Sequence, residues 1–120
     1  MDITLALREA AKDLGFPDHT GVVQCKDSFY GQHDPSTMPV SYELENKWQA
    51  WLRCGVLASE METAALYTVS SVRGAKAGAV MLCVWNQERE KKGLSQEEFH
   101  DTERAIQVVI EGIRKLMKQK

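Results

Sequence analysis

The chain has 120 residues, 43% hydrophobic and 27% charged, enough for one domain but too few for a second independent core. Surface scaling for this size gives about 6,500 Å² exposed when folded, with roughly two-thirds of the unfolded surface buried. Fifteen Lys and Arg against seventeen Asp and Glu leave a formal charge of -2, which argues against a dedicated nucleic-acid or anionic-membrane binder while leaving small anionic ligands open.

Leu5, Ala6, Ala10, Ala11 and Leu14 recur at helical spacing, with Asp2 or Thr4 to cap and Gly15 to stop, and predict a helix over 3–14. GVVQC, Gly21 to Cys25, predicts a short buried strand. The next segment, KDSFYGQHDPSTMP, carries Gly31, Pro35 and Pro39 and is expected to be a loop of 14 residues. Loops of that length are functional or disordered, and Phe29 and Tyr30 favour function. Ser41 is the expected cap of a helix carrying Leu44, Trp48, Trp51 and Leu52, although Leu44 stands where a capping box needs an acid or amide. Val56 to Ala58 reads as a very short strand leading into Ser59-Glu60-Met61-Glu62.

A further helix is predicted over Thr63 to Val72, ended by Gly74. Ala77 to Trp85 has the unbroken apolar pattern of a strand covered on both faces. The last helix is expected from Gln96 to Met117, burying a stripe of Ile106, Val109, Ile113 and Met117 joined by Ala105, Ile110 and Leu116. Alternating strands and helices imply an α/β layer with a mostly parallel sheet, here a small and incomplete one.

Cys25, Cys54 and Cys83 lie far apart without CxxC spacing and read as the reduced thiols of a cytoplasmic protein. The start, MDITLALREAAKDLGF, lacks the pattern of a signal peptide. The longest apolar stretch, Ala77 to Trp85, has nine residues against about 20 for a membrane-crossing helix. His19, His33 and His100 have no ligand spacing, so no metal site is expected. No GxGxxG, Walker or GxSxG motif occurs.

Open α/β sheets bind ligands at the carboxyl ends of their strands. Three groups fall there: the loop after Cys25, the acids after Ala58, and Asn86-Gln87-Glu88-Arg89 after Trp85. Phe29 and Gln32 together suit a planar amide such as a nucleobase, one stacking and the other hydrogen-bonding its edge. Alternatively Phe29 anchors the loop and Gln32 faces solvent. Glu60 and Glu62 do not share a face, which disfavours paired acid–base catalysis. Glu62 either accepts from vicinal hydroxyls, with Met61 beside the sugar, or is a first-turn acid favoured by the helix dipole. Arg89, among Glu88, Glu90, Lys91 and Lys92, reads as part of a solvated charged loop rather than a phosphate clamp.

Four stretches together resemble the C-terminal half of the uridine phosphorylases of the nucleoside phosphorylase superfamily, across nearly the whole chain. They are TGVVQCKDSFYGQH (Thr20 to His33), MPVSYELENKWQAW (Met38 to Trp51), GVLASEMETAALYTV (Gly55 to Val69) and VWNQERE (Val84 to Glu90). The resemblance implies the C-terminal portion of a three-layer α/β/α fold with a mixed, mostly parallel sheet. It implies that Phe29 stacks on the base, Gln32 meets its amide edge, and Val84 and Trp85 line the base pocket. Met61 and Glu62 would hold the ribose, with Glu60 shaping that site; Gln32 and Glu62 would be the catalytic pair. Asp34 and Gln87 stand where related enzymes often carry arginine, which loosens a strict uracil preference.

The implied reaction is phosphorolysis of a pyrimidine nucleoside to free base and ribose 1-phosphate, with phosphate as co-substrate and no cofactor. No phosphate-binding residue is identified. The half that carries the phosphate loop in such enzymes has no counterpart here, so the chain is expected to be a partial domain, inactive alone. It would act within a homo-oligomer or beside a separate N-terminal half. The rival readings are a noncatalytic assembly module, for which Trp48, Trp51 and Trp85 offer apolar area, and a purine nucleoside phosphorylase or nucleosidase.

Overall fold

A computed structural model describes residues 2–118. The chain is of α/β class and forms two compact units, one made of the segments up to Asp18 and from Gly78 onward, the other of His19–Ala77.

In the first unit, α1 (Ile3–Asp13) starts where its cap dictates, with Asp2 Oδ1 accepting the Thr4 N–H at 2.7 Å. It ends at Gly15, whose φ of 70° suits a residue without a Cβ. α1 packs on α6 (Glu103–Met117), burying Ala6, Ala10, Ala11 and Val108, with Leu7, Phe16 and Val80 against them. Small residues set this approach: a Cβ on Gly112 would lie 2.9 Å from Leu7 Cδ2. Lys115 and Asp13 form an ion pair between the ends of the two helices.

The buried row of α6 differs from the expected one. Val108 and Gly112 are buried and Ala105 and Leu116 partly so, whereas Ile106, Val109, Ile113 and Met117 are exposed. The alanine face of α1 needs a partner it can approach closely, and the row through Gly112 provides it. α6 also begins at Glu103 rather than Gln96. The residues before it are engaged elsewhere: Gln96 Oε1 accepts the Asn86 N–H at 2.7 Å, and Phe99 N–H donates to the Val84 carbonyl at 3.2 Å. Asp101 Oδ1 then accepts the Glu103 N–H at 2.9 Å at the helix start.

Ala77 to Trp85, expected as a strand, joins no ladder; among the described residues the sheet has two strands. An apolar run supplies the faces of a strand, but a ladder needs backbone partners on its edges. Asn86 instead caps a short helix, α5 (Gln87–Lys91), accepting the Arg89 N–H at 2.9 Å.

In the second unit, β1 (Val23–Cys25) pairs in parallel with β2 (Ala58–Glu60), placing Val23 beside Ala58, Gln24 beside Ser59 and Cys25 beside Glu60. The segment expected as one long loop holds α2 (Phe29–His33) and a 3₁₀ turn over Pro35–Thr37. Ser28 makes α2 possible, its Oγ accepting the Gly31 N–H at 3.0 Å. α3 (Ser41–Arg53) follows; Ser41 is its first helical residue and not its cap, since Val40 occupies that position without a side-chain bond. α4 (Thr63–Val72) buries Thr63 and leaves Leu66, Val69 and Val72 exposed, against the expected apolar stripe.

Among the described residues no helix is long and apolar enough to cross a membrane.

Candidate active site

Parallel pairing brings the carboxyl ends of β1 and β2 side by side, and the Lys26 N–H extends the ladder by donating to the Glu60 carbonyl at 2.9 Å. Strand alternation then sorts the side chains onto two faces. Gln24, Lys26 and Ser59 share one face; Cys25 and Glu60 share the other.

The first face receives α2. Ser59 Oγ lies 2.6 Å from Gln32 Oε1, 3.1 Å from Gln24 Oε1 and 3.1 Å from Lys26 Nζ, which donates to it. Lys26 Nζ also stands 5.9 Å from the centroid of the Phe29 ring. Phe29 is half exposed, its ring tilted against His33 at 4.2 Å and edge-on to Tyr30 at 5.4 Å. Burial lowers the Lys26 pKa, and the charges of Glu60 and Glu62 oppose that shift. Phe29 and, through Ser59, Gln32 are thus grouped with Lys26 on this face.

The second face receives the start of α4. Glu60 Oε2 accepts the N–H groups of Glu62 at 2.7 Å and Thr63 at 2.8 Å, while Oε1 accepts the Thr63 hydroxyl at 2.5 Å. Burial pushes this carboxyl up, but the bonds from Thr63, from the Glu62 and Thr63 backbone and from the Cys25 thiol outweigh it and bring the pKa to about 2. Glu60 is therefore committed to anchoring α4. Glu62 and Met61 are exposed at the same edge, the Met61 N–H donating to Glu62 Oε2 at 3.1 Å.

Asp34 closes α2, its N–H donating to the Tyr30 carbonyl at 2.8 Å, and its carboxylate accepts the Ser36 hydroxyl at 3.0 Å. In the other unit, Val84 and Trp85 line a pocket of about 530 Å³ together with Asn86, Arg89, Gln96 and Phe99. Arg89, expected on a solvated loop, sits in α5, and its Nε and Nη2 donate to the Ser95 carbonyl at 3.1 and 2.5 Å.

Sequence reasoning picked out Phe29, Gln32, Glu60, Met61 and Glu62 and passed over Lys26, Ser59 and Gln24. Their signal was positional: polar residues two apart on one strand beside a polar residue on its neighbour. Among the described residues, no group of three or more His, Cys, Asp or Glu gathers to hold a metal ion.

The model of the phosphorylase superfamily matches residues 2–113. The uridine phosphorylase of Treponema pallidum is 52% identical over 117 residues, covering 98% of this chain and 45% of the relative. That of Escherichia coli is 32% identical over 123 residues, covering 97% of this chain and 47% of the relative. A DeoD-type purine nucleoside phosphorylase of Geobacillus kaustophilus is 49% identical over 45 residues, 38% of this chain and 19% of its own length. The chain spans about half the length of the uridine phosphorylases it matches, 45% and 47% in these two cases.

Proposed function

The chain belongs to the phosphorylase superfamily, and from that membership we propose that it carries the base- and ribose-binding side of a uridine phosphorylase. The reaction is attack of phosphate on C1′ of a pyrimidine nucleoside, releasing the base and ribose 1-phosphate. Phe29 stacks on the base and Gln32 bonds its edge. Glu62 accepts from the ribose hydroxyls with Met61 beside the sugar, and Glu60 holds α4 so that Glu62 keeps its place. Breaking the C1′–N bond builds negative charge on the base and positive charge on the sugar. A donor fixed at the base edge gains strength as that charge develops, and a fixed ribose aligns C1′ for attack.

The supporting observation is the grouping at the β1 and β2 carboxyl edge. Lys26 donates to Ser59, Ser59 lies 2.6 Å from Gln32 Oε1, and Glu62 follows the end of β2 with its carboxylate bonded to the Met61 N–H. This reading includes a cytoplasmic setting, consistent with the free thiols of Cys25, Cys54 and Cys83. It also includes assembly with further copies or with a separate phosphate-binding half.

Calorimetric titration with uridine, inosine and phosphate in turn tests it. Uridine is expected to bind best of the three, phosphate not detectably, and Glu62→Ala to weaken uridine by at least about tenfold, as loss of a charge-assisted hydrogen bond does. The 120-residue chain alone is expected to release no uracil from uridine and phosphate. Absence of uridine binding, or phosphate-dependent uracil release unchanged by Glu62→Ala, overturns the assignment.

A further inference from the structure

Ser59 has one hydroxyl proton and three polar neighbours. Lys26 is an ammonium and only donates, so its N–H is directed at the Ser59 oxygen across 3.1 Å. The Ser59 proton must then go to one of two carbonyl oxygens, Gln32 Oε1 at 2.6 Å or Gln24 Oε1 at 3.1 Å. A separation of 2.6 Å is that of a hydroxyl donating to oxygen and is short for an amide N–H donor. The proton therefore belongs to the Gln32 bond. This fixes which end of the carboxamide is which: the oxygen faces Ser59, and the NH₂ group is the donor end.

We propose that Lys26, Ser59 and Gln32 form one directed chain of hydrogen-bond donors that carries the positive charge of Lys26 to the base held at Gln32, with Lys26 and Ser59 as positioning residues. The chain runs from ammonium to hydroxyl, from hydroxyl to carbonyl, and through the amide to its N–H. A hydrogen bond received at the carbonyl oxygen draws electron density from the amide nitrogen and makes its N–H a better donor, and successive bonds polarise one another. The chain ends at the Gln32 amide N–H donors, so it favours a base whose facing edge carries an acceptor, and favours it most when that acceptor is gaining negative charge. Lys26 also stands 5.9 Å from the Phe29 ring centroid, so its charge is near the stacking face as well as the hydrogen-bonding edge. Glu60, whose charge favours the Lys26 ammonium, is held by the start of α4.

This inference rests on the uridine-binding reading, and its test separates the two. Uracil and 5-fluorouracil are titrated at one mildly alkaline pH, where the fluorine makes the ring N–H more acidic and supplies more of the anion. The parent chain is expected to prefer 5-fluorouracil. Lys26→Met and Ser59→Ala are expected to reduce that preference by about tenfold, the size of a charge-assisted contribution. Lys26→Arg and Ser59→Thr, which keep the charge and the hydroxyl, are expected to retain most of it. A merely structural role weakens both ligands alike and leaves their ratio unmoved, which overturns the proposal, as does a full loss in the two conservative variants. A shift of the Gln32 side-chain amide resonances in Ser59→Ala, larger than in Ser59→Thr, is expected from the ligand-free protein; no difference overturns the chain of bonds itself. If the parent chain binds uridine but the ratio is unmoved, only this inference falls. If it binds neither uridine nor uracil, the proposed function falls with it.

Discussion

Gly31 shows how one missing side chain holds Gln32 in place. A Cβ there would sit 3.2 Å from both Cβ and Oγ of Ser28 and 3.6 Å from Leu44 Cδ1. Ser28 cannot yield without giving up the cap it makes to the Gly31 N–H. Alanine has the better helix propensity by about 1 kcal/mol, but losing an N-cap costs about as much or more, up to roughly 2 kcal/mol. In a helix of five residues the cap decides, so Gly31→Ala is expected to lower the unfolding midpoint and weaken uridine. A midpoint equal to or above the parent's would show that Ser28 moves aside freely. Phe29 and Gln32 could be singled out in the sequence as candidates because their residue types suit a base. Lys26 and Ser59 were not, since their meeting depends on the register that puts Gln24 beside Ser59.

Whole elements were legible where their signals are local. Asp2 and Gly15 bracket α1 within a turn of its ends, and α1 forms where they place it. Ala77 to Trp85 failed as a strand because pairing is a property of two segments, and α2 hid among turn-forming residues because Ser28 alone starts it. α4 has an unusual anchor, a glutamate reaching forward from the end of β2 to two backbone N–H groups. Its folded pKa of about 2 lies below the ordinary value of 4.5. A depressed carboxyl contributes stability in full above the unfolded value and loses it as pH falls through the folded one. Helicity from α4 is therefore expected to be steady above pH 4.5 and to decline toward pH 2, followed by circular dichroism. Glu60→Gln, which cannot carry the charge, is expected to start lower and to lack that part of the decline; an unchanged acid profile in this variant contradicts the anchor.

Across the molecule, the choice of which apolar surface is covered cannot be read from hydrophobicity alone. α6 carries two apolar rows, and the bulkier one, Ile106, Val109, Ile113 and Met117, is the row that periodicity selects for burial. The buried row is the one with Val108 and Gly112, because the residues facing it, Ala6, Ala10 and Ala11, are small and bring the helix backbones close. Close approach gains many dispersion contacts from small side chains and leaves no room for larger ones. Two substitutions separate these accounts. Ala10→Leu inserts volume at a position with no exposure and is expected to cost about 1–3 kcal/mol by overpacking. Ile113→Ala removes a side chain that is 51% exposed and is expected to cost about 1 kcal/mol or less, since full burial of such a side chain is worth only about 1.5–3 kcal/mol. Urea unfolding of the two variants gives the order directly. Were Ile113→Ala the more damaging, the bulky row would be the covered one, and the packing of α1 on α6 through Gly112 would have to be abandoned.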